Sequence, residues 1–211
     1  MLTFEQLLLY TPAALIVIAI PGPDMLLSLA RGLTQGKISG IVHAVGVGCG
    51  IMLHTLLAAF GVSLLLLANE TAFWFLKAGG AAYLVYLGIM QWREGAPRFT
   101  SDVASLSYSS VFWRGLLSNS LNPKVALFMI AFVPQFVATS PGSASAFSQI
   151  IALGAIFAIL TVAAYAPLAI AAHRVSQWLG NQPSFFKYFN RSVGGVFVAS
   201  GVALLALERK H

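Results

Sequence analysis

The feature that most constrains this chain is a long stretch without any formal charge. Residues 38–69 contain no Lys, Arg, Asp or Glu. A membrane-spanning helix needs about 20 mostly apolar residues, whereas a surface helix of a soluble protein carries a polar face. Only 9% of the whole chain is charged, against roughly 25% in soluble domains. The sequence therefore predicts an all-α integral membrane protein and excludes a soluble enzyme, a disordered chain and a nucleic-acid-binding module.

Charged residues and turn residues divide the chain into six apolar segments. They cover residues 7–29, 38–69, 72–92, 111–136, 146–172 and 192–207. We predict a single membrane domain over 1–211, with 1–100 and 101–211 as two halves of three transmembrane helices each. Three is an odd number, so the two halves must be inverted relative to each other. Inverted repeats with broken helices at the midplane are a transporter architecture, and segments one and four are the predicted broken helices.

The distribution of Lys and Arg predicts the orientation, because cytoplasmic loops of membrane proteins carry an excess of both. The side that bears only Arg209 and Lys210 should face outwards. The loops after segments one, three and five hold eight cations, namely Arg31, Lys37, Arg93, Arg98, Arg114, Arg174, Lys187 and Arg191. We therefore expect a multi-pass protein of the bacterial inner membrane with both termini in the periplasm.

The first candidate site is Pro21-Gly22-Pro23-Asp24 in segment one. Two prolines remove two backbone donors, so the helix should break and expose free carbonyl and amide groups. Such groups must face protein or a water-filled cavity in a membrane, and a charged residue within a membrane segment indicates a functional site by default. We interpret the motif as a ligand site. The alternative is a kink at the cytoplasmic side, with Asp24 extended towards water.

The second candidate site lies near the middle of segment four, where Asn119, Asn122, Pro123 and Lys124 come together. Proline again opens the helix beside a charge and two side-chain amides. One interpretation is that Lys124 pairs with Asp24, and this is compatible with a role in transport. Our hypothesis is that Asp24 faces the ammonium group of a zwitterionic substrate, while Asn122 and Lys124 face its carboxylate.

The histidines are a weaker candidate for a functional site. His43 and His54 lie 11 residues apart on nearly the same face of segment two. Paired histidines can bind haem, but His173 stands at the end of a segment and His211 at the end of the chain. We therefore expect no cofactor and no metal site, and interpret His54 as a packed or path-lining residue with a weak case for proton coupling.

Three more polar residues lie in apolar surroundings and are candidates for lining a path, namely Tyr83, Gln135 and Tyr165. Gly46 and Gly50 form a G-x-x-x-G pair, which lets helices approach closely. Helix packing within the chain is the favoured interpretation of this pair, and a homodimer is the lesser one. The sequence contains no catalytic motif and no phosphate-binding loop. An enzyme and a self-contained ATP-driven pump are therefore disfavoured.

Three groups of residues together resemble the LysE/RhtB family of bacterial amino-acid exporters. They occur in the family's order and spacing over nearly the whole chain, and the combination is specific. The groups are Pro21-Gly22-Pro23-Asp24 with Arg31, Gly32 and Gly36; the run LKAGGAAYLVYLG at 76–88; and Asn122-Pro123-Lys124 with Phe128 and the PQF run at 134–136.

The resemblance implies a secondary transporter that exports small amino acids or their derivatives across the inner membrane, driven by the proton gradient. The pattern is closer to the homoserine/threonine branch than to the branch for basic amino acids. The alternatives are an exporter of basic amino acids, a passive channel, and a membrane-embedded redox or assembly subunit without transport.

Overall fold

The computed structural model describes residues 2–68, 105–138 and 142–180, together with individual helical residues within 78–93 and 188–202. Within these residues the secondary structure is helical, without strands. After Leu127 the chain continues through a π-helical turn, Phe128–Phe132, and a 3₁₀ turn, Val133–Phe136. The helices are α1 (Phe4–Ala19), α2 (Pro23–Gln35), α3 (Lys37–Ala68), α4 (Tyr108–Ser120), α5 (Pro123–Leu127), α6 (Ala146–Ile170) and α7 (Ala172–Gly180).

Two described helices are long and apolar enough to cross a membrane alone, over Lys37–Gly61 in α3 and Ala146–Ile170 in α6. Two further spans result if each bent pair counts as one. The axes of α1 and α2 differ by 59°, and those of α4 and the Pro123–Phe136 segment by 53°. The all-helical membrane architecture is thus confirmed for the described residues. Segments 72–92 and 192–207 fall largely outside them.

Both bends have the same local cause. The residue before a proline is pushed out of the α conformation, and proline fits the first turn of a helix because its missing N–H is not needed there. Ile20 accordingly has ψ 119° before Pro21, and Asn122 has ψ 106° before Pro123. Helices α2 and α5 then begin at Pro23 and Pro123, with a charged residue in second position.

Helix α3 is the central helix, and it packs against α2, α4 and α6. Its glycines allow the closest approach. A Cβ atom on Gly46 would lie 2.2 Å from the carbonyl oxygen of Phe112, and one on Gly50 would lie 2.8 Å from that of Leu116. The G-x-x-x-G face is therefore occupied by α4 of the same chain. It gives no support to the homodimer alternative.

One end of the bundle is closed by a network around the buried side chain of Gln149 on α6. Its Oε1 atom accepts from Gln6 Nε2 at 2.8 Å and from the backbone N–H of Ala138 at 2.9 Å. Its Nε2 atom donates to the carbonyl oxygens of Ala138 at 2.9 Å and Ala144 at 2.7 Å. Gln6 also donates to the carbonyl oxygen of Phe136 at 2.6 Å. We call Gln6 and Gln149 the amide latch.

An aromatic cluster lies next to the amide latch. The Tyr10 ring meets that of Phe136 edge to face at 5.2 Å, and the Tyr10 hydroxyl donates to the Leu153 carbonyl at 3.0 Å. Phe128 extends the cluster to Phe157, with ring centroids 4.8 Å apart. Because Phe157 also lines the cavity described below, this cluster links the cavity to the latch.

Segments three and six meet at residues that the structure does describe. A Cβ atom on Gly88 would lie 2.6 Å from the carbonyl oxygen of Gly194, and one on Gly194 would lie 2.5 Å from that of Gly88. The backbones of these two segments are therefore in direct contact at this point.

Candidate functional site

The carboxylate of Asp24 is the centre of the candidate site. It is 3% exposed, in the first turn of α2. Its Oδ1 atom accepts a hydrogen bond from the Ser118 hydroxyl at 2.7 Å. Its Oδ2 atom accepts from the side-chain amides of Asn119 and Asn122, each at 2.8 Å. All three donors come from the second half of the chain, so this one carboxylate joins the two broken helices.

This arrangement offsets the free-energy cost of burying the Asp24 charge. A charged Asp near the centre of a membrane helix costs roughly 2.5–3.5 kcal/mol on insertion scales. Each hydrogen bond to a charged group contributes about 1.5–3 kcal/mol, and the N-terminus of α2 adds a favourable dipole interaction. Three such bonds offset the cost of burial. A carboxylate held in this way can exchange one donor for another.

Lys124 occupies the corresponding position at the start of α5. Its Nζ atom donates to the carbonyl oxygens of Ile20 at 3.3 Å and Val17 at 3.5 Å, which are free at the C-terminal end of α1. A Cβ atom on Gly22 would lie 3.1 Å from the same nitrogen. The glycine thus leaves room for the ammonium group, and a cation at a helix C-terminus is electrostatically favourable.

Asn122 connects the two charged residues. Its Nδ2 atom binds the Asp24 carboxylate, and its Oδ1 atom accepts the backbone N–H of Lys124 at 3.0 Å as the N-cap of α5. Both ends of the amide are therefore used. Asn119 differs, because its Oδ1 atom is buried and has no hydrogen-bond partner. An unpaired acceptor beside the carboxylate is suited to receive a further donor.

These residues surround a small cavity of about 10 Å³, which is enough for about one water molecule. Six of the residues that line it were candidates from the sequence alone, namely Gly22, Asp24, Asn119, Asn122, Lys124 and Tyr165. The remaining lining residues are mostly apolar: Val17, Ile18, Val47, Ile51, Val125, Phe157 and Thr161. An amino acid does not fit unless the site opens, so the structure represents a closed state.

The other candidates fall into different places. Pro21, Pro23 and Pro123 form the helix breaks and do not line the cavity. Gln135 is exposed in the 3₁₀ turn, beyond the cavity. Tyr83 lies outside the residues that the structure describes.

The two histidines of α3 each reach a partner of Asp24. The Nε2 atom of His54 lies 2.9 Å from the carbonyl oxygen of Asn119, at the end of α4. The Nδ1 atom of His43 lies 2.9 Å from the hydroxyl of Ser28, which donates to the Asp24 carbonyl oxygen at 2.8 Å. Both rings are engaged with different helices, which does not suit a shared haem. Among the described residues no group of three metal-ligating side chains occurs.

Sequence reasoning missed Ser28 and Ser118. Serine is common in helices, and its hydroxyl can be satisfied by the carbonyl oxygen one turn earlier, so it gives no signal by itself. Only its distance of one helical turn from Asp24 could have drawn attention to Ser28. Ser118 directly precedes Asn119, and its role depends on the rotation of α4.

Comparison with known proteins identifies relatives over the full length. The sequence model described as LysE type translocator matches residues 15–208. The homoserine/homoserine lactone efflux protein of Salmonella typhimurium is 29% identical, with 99% of both chains covered. The leucine efflux protein of the same organism is 26% identical, with 94% of both covered. An uncharacterized membrane protein of Pseudomonas aeruginosa is 33% identical, with 92% of both covered. No solved structure matches the chain.

Proposed function

Because the chain belongs to the LysE type translocator family and is therefore a membrane transporter rather than an enzyme, we propose that it exports small neutral amino acids or their close derivatives. Export runs across the bacterial inner membrane and is coupled to proton entry. The relatives named for homoserine and for leucine efflux support this substrate range. The observation that carries the proposal is the Asp24 carboxylate held across two broken helices, beside the Lys124 ammonium group.

The two charges suit the two ends of a zwitterion. In the closed state the amides of Asn119 and Asn122 occupy the Asp24 carboxylate, and backbone carbonyls occupy Lys124. We propose that a substrate ammonium group replaces amide donors at Asp24 and that the substrate carboxylate replaces the carbonyls at Lys124. Both exchanges turn a hydrogen bond between an ion and a neutral partner into one between opposite charges, which adds a direct Coulomb attraction.

The cavity lining argues for a neutral side chain on the substrate. Among its lining residues Asp24 is the only acidic one, and the others near it are apolar or uncharged apart from Lys124. A basic substrate would bring a second cation without a second carboxylate to receive it. The hydroxyl group or short alkyl chain of a neutral substrate would contact Thr161, Tyr165 or the apolar lining residues without the cost of an uncompensated charge.

We propose six membrane helices as two inverted halves, 1–100 and 101–211, with both termini outside. The two breaks support the inversion, because each places proline first and a charge second in a new helix. The contact of Gly88 with Gly194 supports a matching pair of third helices. Arg31 and Arg114 interact electrostatically and so lie near one end, which agrees with a basic cytoplasmic side.

The test is amino-acid efflux from bacterial cells loaded by dipeptide feeding, with homoserine, threonine, leucine and lysine compared. The native protein is run beside Asp24→Asn and Lys124→Ala at equal expression, with Gly61→Ala as a distant control. Fast release of neutral amino acids that both site variants lose supports the proposal. Release that survives both substitutions would contradict the proposed site but not the proposed export function. Release of lysine alone favours a basic substrate.

Saturation and counterflow separate a carrier from a passive channel. If labelled amino acid enters vesicles faster when unlabelled amino acid is inside, the protein alternates between two states. Flux that rises linearly with concentration and shows no counterflow indicates a channel.

A further inference from the structure

The side chains of His43 and Ser28 form a buried polar pair, linked to the backbone carbonyl of Asp24, that the substrate site does not itself use. His43 and Ser28 are each 1% exposed. Neither lines the cavity, yet the Ser28 hydroxyl binds the Asp24 carbonyl oxygen, and the His43 Nδ1 atom binds the Ser28 hydroxyl. The titratable ring of His43 is thus connected, through Ser28, to the turn of α2 that carries the Asp24 carboxylate.

We propose that His43 is the proton-binding residue that couples export to the proton gradient, acting on Asp24 through the hydroxyl of Ser28. The proposal rests on the function proposed above. It makes His43 and Ser28 positioning residues, because neither contacts the substrate.

The chemistry of the hydroxyl group makes this pair a switch. Serine can both donate and accept, and its O–H can turn towards either of two acceptors. When His43 is neutral with a bare Nδ1 atom, the Ser28 O–H can point to that nitrogen. When Nδ1 binds a proton, it must donate to the Ser28 oxygen, and the Ser28 O–H then points to the Asp24 carbonyl. The ring gains one proton at Nδ1, no other covalent bond changes, and the Ser28 O–H moves its hydrogen bond from the ring to the carbonyl.

His54 does not have this freedom. Its partner is the backbone carbonyl oxygen of Asn119, which can only accept. The Nε2 atom of His54 therefore carries a hydrogen whether the ring is neutral or charged. His54 fixes the end of α4, whereas His43 has a partner that can respond to its protonation. This assigns the proton role to His43 rather than to His54.

Coupling follows from competition for one negative charge. Among the described residues, the charged side chains that act electrostatically on the His43 ring are Asp24 and Arg31, both on α2. A protonated His43 compensates the charge of Asp24 and weakens its hold on a substrate ammonium group. A proton that arrives from outside thus expels the substrate to the outside, and loss of that proton to the cytoplasm restores the affinity. This order gives export in exchange for one proton.

The remaining helices that pack near the pair bring few titratable groups. Tyr165 of α6 interacts with Asp24, and Lys124 of α5 lines the cavity beside it. Arg114 of α4 interacts with Arg31. Tyrosine, lysine and arginine ordinarily titrate well above neutral pH. Histidine is the one of these side-chain types whose ordinary pKa lies between pH 5 and 8.

The test uses purified protein in liposomes and radiolabelled homoserine, threonine and leucine. Exchange is measured at equal pH on both sides, from pH 5.5 to 8, and accumulation is measured under an imposed pH gradient. In the native protein, linkage requires the KM for exchange to fall as pH rises, by up to about tenfold per pH unit for one proton. The gradient should drive accumulation.

The variants His43→Gln and Ser28→Ala should still exchange, at a third or more of the native rate. Both should lose accumulation driven by the gradient and the pH dependence of the KM. Thr34→Ala is the matched control, because Thr34 makes the same bond to a carbonyl one turn earlier in α2, at 2.8 Å. Thr34→Ala and His54→Gln should keep the native pH profile.

The outcomes distinguish the two proposals. A native protein that exchanges none of the amino acids overturns the proposed function and this proton role together. If the native protein exchanges amino acids but does not respond to the pH gradient, the export function stands and the proton role of His43 is overturned. Gradient-driven accumulation that survives in both His43→Gln and Ser28→Ala, or is lost in His54→Gln alone, also overturns it. If His43→Gln does not fold, Ser28→Ala decides the question.

Discussion

Asn122 and Asp24 are 98 residues apart in the sequence, and the Asn122 amide donates a 2.8 Å hydrogen bond to the Asp24 carboxylate. The bond crosses from the break in segment four to the break in segment one. With the bonds from Ser118 and Asn119 it makes Asp24 the one acidic group on which both breaks converge. Movement of either break therefore changes the environment of the same charge.

The substitution Asp24→Asn should abolish export and destabilise the fold. The new amide has one acceptor oxygen where the carboxylate has two, so its NH₂ group must face one of the present donors, and a buried donor without an acceptor costs about 1–3 kcal/mol. We expect efflux to fall more than tenfold and the thermal unfolding midpoint in detergent to drop.

Ser118→Ala is the graded control, since it removes one donor and leaves the charge in place. It should reduce efflux only a few-fold. Equal losses in Ser118→Ala and Asp24→Asn would mean that the network, rather than the charge, carries the effect.

The substitution Lys124→Met should weaken recognition of the substrate carboxylate. Methionine keeps most of the length of the side chain and removes the ammonium group that now binds the carbonyls of Ile20 and Val17. We expect the KM for leucine exchange to rise at least tenfold. Leucinamide, which lacks the carboxylate, is the diagnostic competitor.

In the native protein leucinamide should inhibit far more weakly than leucine, and in Lys124→Met the two should become nearly equal. Lys124→Arg keeps the charge and should retain the preference for leucine. If Lys124→Met still discriminates as the native protein does, the substrate carboxylate is bound elsewhere.

The substitution Gly50→Ala should impair transport from outside the cavity. Its new methyl group would lie 2.8 Å from both the Asn119 Cβ atom and the Leu116 carbonyl oxygen, so α3 and α4 must separate. That displacement moves Asn119 relative to Asp24. We expect a several-fold loss of efflux and a lower unfolding midpoint.

Gly61→Ala on the same helix is the matched control, because its methyl group would meet nothing within 4 Å. Alanine is favoured over glycine in a helix by roughly 1 kcal/mol, so Gly61→Ala should be neutral or slightly stabilising. Similar damage from both substitutions would show that helix propensity, rather than contact with α4, decides the result.

The breaks and the charges of the site could be predicted from the sequence, because proline acts locally. Pro12 and Pro167 lie inside helices, whereas Pro23 and Pro123, each preceded by Gly or Asn and followed by a charge, begin new ones. The partners of those charges could not be predicted. Helices α3 and α6 are apolar on all sides, so no hydrophobic face shows which residues point inwards. The contacts of His43 with Ser28, and of Asn119 with Asp24, depend on how each helix is rotated about its own axis.

The amide latch was missed for a related reason. Gln6 and Gln149 each stand near the end of an apolar segment, where a polar residue is expected to meet water. The structure instead buries Gln149 and satisfies both ends of its side chain. The π-helical turn at Phe128–Phe132 also has no local signature in the sequence.

The last prediction concerns the latch and the orientation together. Gln149→Leu removes four hydrogen bonds and leaves the amide of Gln6 and the backbone of Ala138 with fewer partners. The closed end should therefore open more often. Ala14 on α1 is fully buried and reports this opening when it is changed to cysteine in a Cys49→Ser background, since Cys49 is the one native cysteine.

In intact cells a membrane-impermeant maleimide should label Ala14→Cys slowly in the native background and at least threefold faster with Gln149→Leu. Gln6→Ala removes one of the four bonds and should give an intermediate rate. Because the reagent reaches only the periplasmic side, acceleration in intact cells places the latch and the N-terminus outside. Acceleration confined to inside-out vesicles would reverse the orientation, and an unchanged rate on both sides would mean that Gln149 is not part of a gate.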